Sequence, residues 1–145
     1  MEKPETAVTY FNTYNCAQST LLAYATDFAL NKDTALQVAV GFGGGIGRIQ
    51  DVCGAVSASV MVLGLASGFT ESDGRSMINE SYDITRRFVE EFEREYGTIK
   101  CRELIKCDLC SEEGQKYFKE NNVKESCRGY VRFCCTLLDK YMAEK

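Results

Sequence analysis

Apolar residues recur along this chain at the three- and four-residue spacing of amphipathic helices, and two-residue alternation is scarce. The spacing predicts a short helix over Pro4 to Thr13 and a second from beyond Asn15 to about Phe28, with Leu22, Ala25 and Ala29 on one stripe. A third runs through Thr34 to Val40, with Asn31 and Asp33 as caps. Gly41-Phe42-Gly43-Gly44-Gly45-Ile46-Gly47 breaks the pattern, because each glycine costs about 1 kcal/mol relative to alanine inside a helix. It reads as a tight, irregular loop. Asp51 then offers a cap for an apolar helix from Val52, with Val52, Val56, Val60 and Leu63 at helical spacing, which is expected to be the most buried. It ends near Gly64 to Gly68.

Beyond the polar stretch Ser67 to Ser76, a long amphipathic helix covers Met77 to Tyr96, with Ile84, Phe88, Phe92 and Tyr96 on one face and Gly97 closing it. Shorter helices follow near Thr98 to Lys106 and Glu112 to Glu120. A last one runs from Ser126 to about Met142, with Val131, Cys135, Leu138 and Met142 on a stripe. The expectation is an all-α, compact bundle of about seven or eight helices around a Gly-rich loop. Composition does not change across Ser67 to Ser76, so one domain over 1–145 is expected.

A chain of 145 residues is long enough to hide about 70% of its unfolded surface. Its eight cysteines are therefore not needed as staples. The formal charge is only −4, without a basic run, which argues against nucleic acid as a partner. The richest apolar run, Val52 to Leu65, falls short of the ~18–20 residues of a membrane span, so no membrane association is expected. Met1-Glu2-Lys3-Pro4-Glu5-Thr6 lacks the basic start and apolar stretch of a secretory signal. A cytoplasmic location is expected, where thiols are kept reduced. Histidine is absent, which removes Cys-His nucleophile pairs and His-ligated metals and leaves thiolate as the main ligand for any tightly bound metal.

The cysteines divide by position. Cys16 follows the candidate cap Asn15, Cys53 lies two residues after Asp51, Cys101 three after Thr98, and Cys127 one after Ser126. Each falls in the first turn of an expected helix, where unpaired N–H groups and the helix dipole stabilise a thiolate and lower its pKa. If these helix starts meet, they make a pocket for negative charge: separate thiolates, a polysulfide or an anionic iron–sulfur cluster. The plainer reading of each is a small buried hydrophobe. Cys107-Asp108-Leu109-Cys110 has the spacing of a redox pair or half a zinc site, but no strand precedes it and no second pair matches it, so a mobile loop is the simpler reading. Cys134 and Cys135 lie mid-helix and read as core. The Gly-rich loop lacks Gly-Lys-Ser/Thr and follows a helix, which excludes the common phosphate-binding fingerprints. It reads as a sharp reversal that lets Cys53 approach a centre closely, with Arg48 as a nearby counter-charge.

The stretches Asn15-Cys16-Ala17-Gln18, Phe42-Gly43-Gly44-Gly45-Ile46-Gly47, Cys53-Gly54-Ala55-Val56-Ser57-Ala58 and Cys101-Arg102-Glu103-Leu104, with Cys127 leading the last helix, give the chain a resemblance to a family of small helical redox proteins. That family is defined by a Cys, Gly-Cys-Ala-x-x-Gly, Cys, Cys pattern, and the resemblance covers roughly residues 7 to 140. Val52 before the central cysteine and Ala58, where a glycine is usual, depart from the pattern. The resemblance implies that the four family cysteines are Cys16, Cys53, Cys101 and Cys127. Through the family's likeness to the cluster-bearing part of split-Soret cytochromes, it also implies an iron–sulfur possibility.

The residues and the resemblance together predict thiolate redox chemistry at these four positions. One form is electron transfer through an iron–sulfur or other metal centre ligated by Cys16, Cys53, Cys101 and Cys127. Another is dithiol/disulfide exchange, with Cys53 and Cys16 as candidate catalytic thiols and Cys53 attacking. A non-catalytic zinc module and a helical interaction protein with structural cysteines are the rivals. The expected partner is a redox protein, a small thiol or another electron donor.

Overall fold

The computed structural model describes residues 1–144. Its elements are α1 (Lys3–Tyr10), α2 (Cys16–Ala25), a 3-10 turn (Thr26–Phe28), α3 (Lys32–Ala39), a second 3-10 turn (Val40–Phe42), α4 (Gly43–Ile46), α5 (Gly54–Ser67), α6 (Arg75–Tyr96), α7 (Cys101–Ile105), α8 (Glu112–Glu120) and α9 (Val123–Ala143). α4 is a helix in hydrogen bonding only, since Gly44 and Gly45 are left-handed. Eight true helices and no β-strand remain among the described residues, which makes the fold all-α.

Local chemistry explains most boundaries. Asn15 closes a capping box with Gln18 at the start of α2, Asn31 accepts from the Thr34 N–H at α3, and Gly97 ends α6 at φ 84°. Two expected starts are displaced. Asp51 does not cap α5: it is exposed, and Cys53 itself is the residue before the helix, its carbonyl accepting from the Val56 and Ser57 N–H groups. α9 begins at Val123 rather than Ser126, after a left-handed Asn122, because Val123 is buried and anchors the extra turn.

α5 was expected to be the most buried helix. α2 is buried as extensively, from Ser19 through Ala25, packed among α1, α3, α5 and α9. Its Tyr24, fully buried, donates to the Cys135 carbonyl at 3.0 Å and bonds Asp139 at 2.8 Å, so the ring fills the core without an orphaned hydroxyl. Phe88 and Phe92 carry α6 onto this core, and Phe92 and Tyr96 of α6 each meet Tyr130 and Phe133 of α9 edge to face. Ile84, on the expected apolar stripe, is instead 37% exposed.

The Gly-rich segment turns sharply. Gly44, Gly45, Ile46, Gly47, Arg48 and Gln50 all have positive φ: the glycines adopt it freely, whereas Ile46, Arg48 and Gln50 are held there by contacts. At Gly45 a side chain is impossible: a Cβ would lie 2.7 Å from the Asp51 carbonyl oxygen. The segment leads into a short antiparallel bridge between Val52 and Lys100. There the Cys53 N–H donates to the Ile99 carbonyl at 2.8 Å and the Cys101 N–H to the Asp51 carbonyl at 2.7 Å.

Candidate functional site

Each of the four cysteines is set by a different element. Cys16 is the first residue of α2, Cys53 precedes α5, Cys101 opens α7, and Cys127 lies in the second turn of α9. The expected first-turn position of Cys127 is thus corrected by the earlier start of α9. The bridge described above fixes Cys53 and Cys101 relative to one another through main-chain bonds. All four side chains line one cavity of about 130 Å³, whose remaining wall is mainly apolar, with Phe11, Leu104, Leu109, Phe118 and Tyr130. Among the described residues no three Cys, Asp or Glu side chains are grouped tightly enough to hold a single metal ion. The thiols surround a space and do not converge on a point.

Cys16 is the electrostatic hub. The nearby backbone N–H groups of Gly44, Ala17, Cys16 and Gly54 favour the thiolate, yet burial outweighs them and pushes the thiol up. Once ionised, Cys16 in turn raises Cys53, Cys101 and Cys127. Burial is the largest cause in each, taking Cys101 to about 11 and Cys127 to about 12. Gly54 explains how Cys16 comes so close to α5, since a Cβ there would stand 2.6 Å from the Cys16 sulfur and 2.8 Å from the Phe42 carbonyl oxygen.

Cys53 is raised well above the ordinary range, first by burial, then by Cys16 and Cys134. The Ala55 and Val56 N–H groups lower it, so the helix start acts in the expected direction, but a side chain only 6% exposed pays more in desolvation than two donors return. The expected low-pKa thiolate at Cys53 is therefore corrected. Arg48 does not supply the expected counter-charge either: it is exposed and lines a neighbouring cleft, not the thiol cavity.

The other cysteines are also informative. Cys134 and Cys135 are both fully buried in the core. Cys134 lies near enough to Cys53 to raise it, but does not line the cavity. Cys110 is exposed, whereas Cys107 is buried beside Cys101 and Cys127. Their loop is stitched down by Gln50. That residue is 3% exposed and left-handed. Its amide donates to the Cys107 carbonyl and accepts from the Leu109 N–H, both at 2.8 Å, and its side chain also favours the Cys101 thiolate, though burial outweighs it. Sequence reasoning missed Gln50, because a glutamine between Ile49 and Asp51 carries no signal of burial.

The all-α bundle thus brings four thiols from four separate segments, two of them buried and two half-buried, to the wall of one apolar cavity. Residues 14–141 match the family described as "Putative redox-active protein (C_GCAxxG_C_C)", and the chain belongs to that family. No curated protein and no solved structure matches it.

Proposed function

We propose that the chain is an electron-transfer protein whose cavity holds an iron–sulfur cluster on Cys16, Cys53, Cys101 and Cys127. The observation that carries this reading is that four thiols from four segments line one space of about 130 Å³. A tetrahedral zinc, with sulfur at ~2.3 Å, needs its four ligands drawn to a point, whereas a group of several atoms suits a space. Burial and mutual repulsion hold the thiols protonated, so they become ligands only when a cationic centre compensates their charge. When bound, the cluster supplies a one-electron couple. The chain's own part is to exclude water with the apolar wall and to direct the Gly44 and Gly54 N–H groups at the Cys16 sulfur, which raises the potential by stabilising the electron-rich state. The eight unpaired thiols suit a reducing compartment such as the cytoplasm, with a redox protein or small electron donor as partner.

Anaerobic purification with iron, acid-labile sulfide and zinc analysis, together with visible absorption, tests the proposal. Brown protein with iron and sulfide in equal amounts, lost in Cys16→Ser or Cys101→Ser, is the expected result. Colourless protein with stoichiometric zinc would establish the metal-binding alternative. Protein with neither, forming a disulfide among these thiols on oxidation, would establish exchange.

A further inference from the structure

Beside the thiol cavity lies a wider cleft of about 560 Å³. The two share Asn15, Gly44, Leu109 and Phe118 in their walls. We infer that this cleft is the entry to the thiol cavity and that it takes small anionic sulfur compounds, with the sulfur directed inward and the charge held between Arg48 and Lys119.

Charge is the first support. The chain is acidic overall, at −4, yet this cleft is lined by two cations and no carboxylate. Arg48 and Lys119 are exposed, and the ion pairs among the described residues engage other cations. A cleft of one sign concentrates ligands of the other. The partition between the two spaces is the second support. Leu109 is held at its main chain from both sides, its N–H donating to Gln50 at 2.8 Å and its carbonyl accepting from Gln115 at 2.9 Å. Its side chain and that of the half-buried Phe118 stand in both walls, so their movement opens a way through. Cys16 follows directly on Asn15, which stands in both walls, and lines the inner cavity, so it is the first thiol reached.

This arrangement decides the ligand's chemistry. A charged end cannot follow into the nearly apolar inner cavity without losing its hydration, so it stays in the cleft. A thiol or thioether sulfur is weakly hydrated and passes an apolar throat readily. The inference concerns access, and holds whether or not the cavity carries a cluster.

The test uses metal-free, reduced full-length protein and two alkanethiosulfonates of equal length, one ending in sulfonate and one in trimethylammonium. In each reaction the cysteine thiolate displaces sulfinate and forms a mixed disulfide, which mass spectrometry locates. The anion-to-cation rate ratio at Cys16, normalised to that of free mercaptoethanol, is expected to exceed one at low salt. It should fall about tenfold in Arg48→Glu/Lys119→Glu. Arg75→Glu/Arg94→Glu, which makes the same charge change outside the cleft, should leave it unchanged. Leu109→Ala should accelerate both reagents at Cys16 by a common factor. A ratio indifferent to the double reversal, with native circular dichroism, overturns the inference. So does Cys16 labelling that Leu109→Ala leaves unaccelerated. Because no metal is present, failure here is separate from failure to find a cluster.

Discussion

At the scale of single residues, Gly54 and Gln50 do what the cysteines cannot do alone. A methyl group at position 54 would press on the Cys16 sulfur and on the Phe42 carbonyl, neither of which is the free end of a flexible chain. Gly54→Ala is expected to destabilise the protein by about 1–3 kcal/mol through overpacking and to reduce cofactor loading, read as urea midpoint and metal content. Gly64→Ala in the same helix meets nothing within 4 Å and is expected to gain up to about 1 kcal/mol. The four cysteines were legible because helix position and motif spacing both select them. Gln50 was not, because its importance arises from three segments meeting on it: the Gly-rich turn, Cys101 and the Cys107–Leu109 loop.

At the scale of elements, helix identity could be read from periodicity, and helix ends only where a side chain caps the backbone. Asn15 and Asn31 act as caps and were recognisable as such. Asp51 has the right chemistry at the wrong place, because its main chain is taken up by the bridge to the 99–102 segment. That pairing joins two isolated residues and leaves no alternating pattern to detect. Asn15 has a further duty: besides capping α2, its amide donates to the Val40 carbonyl at 3.0 Å and ties the start of α2 to the turn before the glycines. Asn15→Ala is expected to cost about 1–2 kcal/mol, measured by chemical denaturation. Asn15→Asp retains the cap but loses the amide donor, and should fall between the two.

At the scale of the whole molecule, the site is distributed over residues 16 to 127, so it exists only when the bundle does. In metal-free protein this gives stability an alkaline limit. Folding raises the thiols of Cys101 and Cys135 to about 11 and about 12, from an ordinary 9.0. Their contribution is complete while both states keep the proton, below about pH 9. Above it the unfolded thiols ionise and the native ones do not, so stability falls at up to about 1.4 kcal/mol per pH unit per thiol until the native values are passed. Urea midpoints are expected to hold steady from pH 7 to 8 and to decline between pH 9 and 11. A flat profile through pH 11 would show that the thiols are hydrated in the native state.

The pairing of residues 51–53 with 99–101 also closes a ring around the chain between them. α5 and α6 hang from this clasp as a single long loop, and the clasp is made of amide bonds to carbonyls where an extracellular protein of this size would often use a covalent cross-link. Such a fastening cannot open at one end without freeing the other. In deuterium exchange the Cys53 and Cys101 amides should therefore share one protection factor, close to that of global unfolding, even though both stand at helix starts, where amides ordinarily exchange early. Two distinct rates would mean that the loop can swing open while the rest of the bundle stays folded.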